Sequence, residues 1–181
     1  LSTVADTQTW PVGPNSEGYC EPDLKRLSDG RLLCVMRSGG AFSQGKGSFT
    51  PAFSATSLDG GATWHRPVEI NGYGVFPRAV QTENGAVVMT AGRDGVYLAG
   101  SADLGGSWQK ALIVSRHGGT WGFSPSGYHS LGLVAPNEVL LIYDDVDETK
   151  KMPRPDSEAG KAMVKGSFHK MVANRYRVEM V

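Results

Sequence analysis

The sequence predicts an all-β fold assembled from repeated strand–turn–strand units, and three observations predict it. An eight-residue turn frame occurs twice, at Ser57–Trp64 and Ser101–Trp108, 44 positions apart. A hairpin pattern starts at Glu21 and returns at Phe76 and Tyr128, at spacings of 55 and 52 residues. No segment carries convincing 3.6-residue apolar periodicity, apart from the short charged stretch from Glu158 to Val164. A chain of 181 residues with 24 glycines fits one loop-rich domain, since ~100 to 200 residues per domain is usual.

In the first unit, Glu21-Pro22-Asp23-Leu24 leads through Leu27 to the turn Ser28-Asp29-Gly30 and then the apolar run Leu32 to Met36. With Gly30 in the left-handed position of a three-residue loop, Leu27 faces Arg31 and the same register sets Glu21 opposite Arg37. The second unit lays Phe76-Pro77-Arg78-Ala79 over that segment and turns at Glu83-Asn84-Gly85 into Ala86 to Met89. The third starts at Tyr128 and turns at Pro136-Asn137 into Val139 to Tyr143. After the first two units come Ser57-Leu58-Asp59-Gly60-Gly61-Ala62-Thr63-Trp64 and Ser101-Ala102-Asp103-Leu104-Gly105-Gly106-Ser107-Trp108. In such a frame the Asp carboxylate bonds backbone N–H groups, Gly supplies a positive φ and Trp packs the turn onto its sheet, so the Asp residues are read as structural. Thr3 to Trp10 keeps Thr3, Thr9 and Trp10 in frame and reads as a decayed third copy. Units of four short strands at this period are those of a β-propeller, whose sheets bury their faces against one another around an axis. A propeller closes with ~4 to 8 blades. About three are present, so the expectation is a single partial β-propeller domain over 1–181: half of a larger domain, or one that associates to cover its open ends.

Composition removes several function classes. Lys and Arg number 18 against 18 Asp and Glu, with no dense basic run, so the charge footprint of nucleic-acid or membrane-surface binding is absent. No run approaches the ~18 apolar residues of a membrane helix, and Leu1 is not an initiator Met, so any signal or upstream segment is expected to have gone already. Cys20 and Cys34 form neither a disulfide framework nor a CxxC pair. HExxH, P-loop, GxSxG and strand-linked GxGxxG motifs are missing. Asp144, Asp145, Asp147 and Glu148 lack the central Gly of a calcium loop and read as a solvated charged loop. His65, His117 and His169 show no ligand spacing, so no metal or cofactor is expected. Trp64 and Trp121 are read as packing residues ahead of sugar-stacking platforms.

The starts of the three units carry the chemistry. Glu21 and Arg37 alone would make a cross-strand ion pair worth ~0.2 to 1 kcal/mol. The repeat adds that Glu21, Phe76 and Tyr128 begin the first strands of successive units, while Arg37 and Arg93 end the second strands of the first two. In a propeller these positions meet at one end near the axis. Two guanidiniums match the paired oxygens of a carboxylate, and a Glu beside a Tyr suits an activated phenol, because a phenol of pKa ~10 needs a base near neutral pH.

These segments resemble the exo-α-sialidase (neuraminidase-like) family of Asp-box, or BNR-repeat, β-propellers. The two Asp boxes carry the fold part of the resemblance. Glu21-Pro22-Asp23-Leu24 through Gly30 to Arg37 resembles the segment with the catalytic glutamate and one triad arginine. Arg93 in Ala91-Gly92-Arg93-Asp94-Gly95 resembles the next triad arginine, and Gly127-Tyr128-His129-Ser130-Leu131 resembles the segment with the tyrosine nucleophile. Tyr176 to Val181 looks like the strand that ends such domains. The resemblance implies a retaining glycosidase that departs from the two-carboxylate scheme: Glu21 takes the proton of Tyr128, Tyr128 attacks the anomeric carbon, and Arg37 and Arg93 hold the sugar carboxylate. The first triad arginine and the aspartate acid/base belong to the family's N-terminal half and have no counterpart here, and His129 replaces the small residue that usually follows the nucleophile.

The expected activity is therefore hydrolysis of terminal sialic acid by a site completed outside this chain. The alternatives are a non-catalytic module that binds acidic glycans and another carbohydrate-active enzyme on the same fold, such as a lyase using Tyr128 or His129 as base. The partners implied are sialylated or other acidic glycans, together with a second copy or a missing N-terminal half. The resemblance favours a secreted or periplasmic location.

Overall fold

The computed structural model describes residues 18–38, 51–71, 74–92, 95–116, 128–146 and 169–180, which form eleven strands and no helix among them. Strands β1 (Tyr19–Arg26), β2 (Leu32–Ser38), β3 (Ala52–Ser57) and β4 (Val68–Asn71) make the first sheet. The second is β5 (Val75–Gln81), β6 (Val87–Gly92), β7 (Gly95–Ser101) and β8 (Leu112–Arg116). Both are antiparallel meanders in chain order. The third runs β9 (His129–Ala135), β10 (Glu138–Val146) and β11 (His169–Arg177), with β10 central. The expected terminal strand thus ends at Arg177 and starts earlier than Tyr176. Past the ladder, the Val178 N–H turns to the Asn137 carbonyl at 2.8 Å and ties the chain to the β9–β10 hairpin tip.

The first two hairpins close in the same way. The Leu27 N–H reaches the Arg31 carbonyl at 2.9 Å and the Gly30 N–H the Leu27 carbonyl at 2.9 Å; Thr82 with Ala86 and Gly85 with Thr82 repeat this at 2.9 and 3.0 Å. Gly30 (φ 90°) and Gly85 (φ 93°) hold the left-handed position that a side chain would strain.

Alternation along the strands splits the interior into two apolar layers. Leu27, Leu33, Val35 and Ala52 of the first sheet meet Ala79, Val87, Met89, Ala91 and Ala99 of the second. Val88, Val96 and Leu98 meet Val139, Leu141 and Tyr143 of the third. Strand β6 is buried throughout because its alternate residues feed opposite layers. The first strands are neighbours in space, β1 beside β5 and β5 beside β9, as strands lining a common axis must be.

The two Ser-x-Asp turns join β3 to β4 and β7 to β8 and share the same bonds to the Asp carboxylate. Asp59 Oδ1 accepts from the Ser57 hydroxyl and the Thr63 N–H, both at 2.8 Å; Asp103 Oδ1 accepts from the Ser101 hydroxyl and the Ser107 N–H, also at 2.8 Å. The Thr63 and Ser107 hydroxyls donate to the second carboxylate oxygens at 2.6 and 2.7 Å. Bonding, Thr63 foremost, pulls the Asp59 carboxyl down to about 2, and Ser107 foremost lowers that of Asp103. Both carboxylates are thus consumed by their own turns, as the structural reading requires. The indoles pack as expected: Trp64 donates to the Gly61 carbonyl at 3.1 Å, and Trp108 reaches the first sheet, donating to the Ser54 hydroxyl at 3.0 Å.

Candidate functional site

The hairpin register holds from Arg26↔Leu32 to Asp23↔Val35 and then breaks, so that Arg37 is paired with Cys20, where the unbroken register had set it opposite Glu21. Pro22 has no N–H to give to the ladder, and a β-bulge absorbs the mismatch. Glu21 sits in that bulge at φ 52°. The second sheet repeats the device: the register of β5 with β6 shifts between Val75 and Arg78, and Phe76, before Pro77, stands at φ 51°. A non-glycine residue held there costs ~1 to 3 kcal/mol. The same strained geometry in two successive sheets marks this end of the fold as the place where side chains are being aimed.

The bulge replaces a ladder pairing by a side-chain cluster. Glu21 Oε2 lies 2.9 Å from Arg37 Nε, with the two side chains 22% and 15% exposed, so the pair is more shielded from water than a surface bridge. The same oxygen accepts the N–H of Phe76 at 2.7 Å. The ring of Phe76 then meets that of Tyr128, centroids 5.3 Å apart and planes tilted by 39°, within the usual range of aromatic pairs. Tyr128 is 62% exposed, and its carbonyl accepts the Asp144 N–H at 3.3 Å.

Of the residues singled out from sequence, Glu21, Arg37 and Tyr128 are therefore brought to one end of the fold, with Phe76 between the carboxylate and the phenol. No hydrogen bond joins Glu21 to the Tyr128 hydroxyl among the described residues. Arg93 lies outside the described residues, as do Trp121, His117, Asp147, Glu148 and the frame at Thr3 to Trp10. His65 bonds Thr56 through Nδ1 at 3.1 Å, and Asp145 accepts from the Ser115 hydroxyl at 3.2 Å; both are engaged structurally.

Asp23 was missed as a partner of this cluster. Its Oδ2 accepts the Ala79 N–H at 2.9 Å and its Oδ1 lies 3.1 Å from Lys25 Nζ, so it fastens β1 to β5 two residues from Glu21. A cavity of about 530 Å³, lined by Asn84, Asn137, Glu138, Arg177 and Glu179, lies at the hairpin-tip end, opposite the Glu21 cluster. There Glu138 is bridged by Arg175 and Arg177, Arg177 foremost, which lower its carboxyl pKa.

No family model matches the sequence, and no curated protein matches it. Solved structures do match. A xylan β-1,4-xylosidase from Bacillus halodurans C-125 superposes with a TM-score of 0.55 at 13% identity, over 90% of this chain and 29% of the other. An ulvan lyase bound to a GlcA(1-4)Rha3S fragment matches with a TM-score of 0.52 at 18% identity, over 68% and 31%. The α-L-arabinanase of Penicillium chrysogenum complexed with arabinobiose gives 0.50 at 16% identity, over 92% and 47%. The fold is a partial β-propeller. This chain spans less than half the length of each of these three chains. In a propeller, β1, β5 and β9 are the inner strands of successive blades, so Glu21 and Phe76 occupy equivalent bulge positions and Tyr128, just before β9, stands at the same end of the third blade.

Proposed function

We propose that this partial propeller supplies part of the site of a sialidase-like retaining glycoside hydrolase acting on terminal sialic acid. The observation that carries the reading is the Glu21–Arg37 pair held at the same axial end as Tyr128. Tyr128 Oη attacks the anomeric carbon as Glu21 takes its proton, forming a glycosyl–tyrosine bond as the glycosidic C–O bond breaks. The leaving oxygen takes its proton from an acid outside this chain. Water then cleaves the intermediate, giving its proton to that same outside group, now a base, while Glu21 returns the first proton to the departing phenolate. Arg37 and Arg93 hold the substrate carboxylate. A neutral phenol avoids the repulsion that a carboxylate nucleophile would meet from an anionic sugar, which fits Tyr in this role.

The experiment is hydrolysis of a fluorogenic sialoside by the complete protein. Wild-type turnover abolished in Tyr128→Phe and Glu21→Gln is the expected result; turnover unchanged in Tyr128→Phe would overturn the assignment. A second reading, a module that binds acidic glycans without chemistry, is favoured by one observation: Glu21 Oε2 is occupied by Arg37 and Phe76 and is not bonded to the phenol. It predicts glycan affinity that survives Tyr128→Phe and falls in Arg37→Ala, with no turnover in either.

A further inference from the structure

We propose that Phe76 is the positioning residue of this site, setting the carboxylate of Glu21 and the phenol of Tyr128 relative to each other across three blades. Its two attachments are independent. The backbone N–H donates to Glu21 Oε2 at 2.7 Å, and the ring packs against Tyr128 at 5.3 Å. Both depend on the left-handed bulge at φ 51°, which turns the N–H out of the β5–β6 ladder toward the preceding blade. The anchorage is one-sided: Glu21 is also held by Arg37, whereas the largely exposed Tyr128 ring packs on the Phe76 ring. Phe76 offers a backbone N–H and an apolar ring but no group that can attack or carry the proton, so its role is geometric. A misplacement of ~1 Å at a reacting group costs on the order of 100-fold in rate. Phe76 thereby explains how a base and a nucleophile on the first and third blades keep a fixed separation, with the second blade as the spacer.

The inference rests on the glycosidase reading for its kinetic consequence and on geometry alone for its structural one, and the test separates them. Tyrosines of the full protein are labelled at 13Cζ, the Tyr128 signal is identified by its loss in Tyr128→Phe, and kcat and KM are measured on a fluorogenic sialoside. Phe76→Leu keeps the N–H and removes the aromatic face. It is expected to shift the Tyr128 signal and to lower kcat by about 10- to 100-fold with KM changed less than about threefold, with Phe76→Trp recovering both. If Phe76→Leu does not fold, Phe76→Gly keeps the N–H and suits the positive φ, and the same outcomes are read from it. An unmoved Tyr128 signal overturns the proposal, and so does a moved signal with wild-type kcat. If wild type has no turnover, or Tyr128→Phe retains it, the glycosidase reading fails, and the Tyr128 signal alone decides whether Phe76 positions that ring.

Discussion

Gly105 and Gly61 occupy the same place in the two Ser-x-Asp turns and have the same handedness, φ 87° and 97°, yet their surroundings differ. A Cβ at Gly61 would stand 3.5 Å from Leu32 Cδ1, an ordinary contact. A Cβ at Gly105 would stand 2.7 Å from Leu33 Cδ1, and Leu33 is fully buried in the layer between the first two blades, so its methyl cannot swing aside without displacing the core. Gly61→Ala should therefore cost only the left-handed penalty, ~1 to 2 kcal/mol. Gly105→Ala should add an overpacking cost of ~1 to 3 kcal/mol, for a total of about 2 to 5. Urea unfolding followed by tryptophan fluorescence measures both. Leu33→Val removes the clashing atom, so the Gly105→Ala, Leu33→Val double variant should be more stable than the sum of the singles by ~1 to 3 kcal/mol. Equal costs for the two glycine variants, within about 0.5 kcal/mol, together with an additive double variant, would refute the claim that this turn is wedged against the neighbouring blade.

Three further outcomes are expected. Leu141→Ala, at a fully buried site between the second and third blades, should cost ~2 to 5 kcal/mol in the same unfolding assay, whereas Leu133→Ala, 44% exposed, should cost less than ~1. The Asp59 carboxyl is held at about 2 against ~3.9 in the unfolded chain; a depressed folded value gives stability that is full above ~4 and lost as pH falls through 2, so urea midpoints should drop across that window and drop less in Asp59→Asn. Burial first, then the charge of Asp23, push the Cys34 thiol up to about 11, so iodoacetamide at pH 8 should alkylate Cys34 at least ~10-fold more slowly in the native protein than in urea.

The parts legible in the sequence were those set by local chemistry. The Gly30 and Gly85 hairpins and both Ser-x-Asp turns follow from residues within eight positions of one another, and the 55-residue offset correctly laid Glu21 over Phe76. The pairing of Glu21 with Arg37 was legible as a contact but not as a register. A single proline in a strand reads as an edge or a break, and the bulge went unread, although a pre-proline residue recurs at the start of both units, Glu21-Pro22 and Phe76-Pro77. Phe76 was visible as a position without a role, because its two attachments run to other blades through a backbone N–H and a ring face, neither of which leaves a signature in residue type. Asp23 escaped notice for the same reason: its acceptor work is done for the backbone of Ala79, 56 residues away.

Besides the Trp108–Ser54 bond, the seam between the first two blades is stitched along the inner strands and hairpin tips by polar bonds at three heights. Glu21 takes the Phe76 N–H near the axial mouth and Asp23 takes that of Ala79 lower down. At the hairpin tips the Ser28 N–H donates to Gln81 Oε1 at 2.8 Å, and Gln81 Nε2 returns a bond to the Ser28 hydroxyl at 3.1 Å. The next seam uses a different stitch: the Glu83 N–H goes to the Pro136 carbonyl at 2.7 Å, and the Asn84 N–H to Asn137 Oδ1 at 2.8 Å. Apolar faces built from the same few residue types are nearly interchangeable, and arrays of similar repeats are prone to docking in the wrong order. Directional bonds that differ from seam to seam work as a key for each joint. The first blade set against the third would lose every one of these stitches, so the polar residues at the margins of the core help to write the order of assembly.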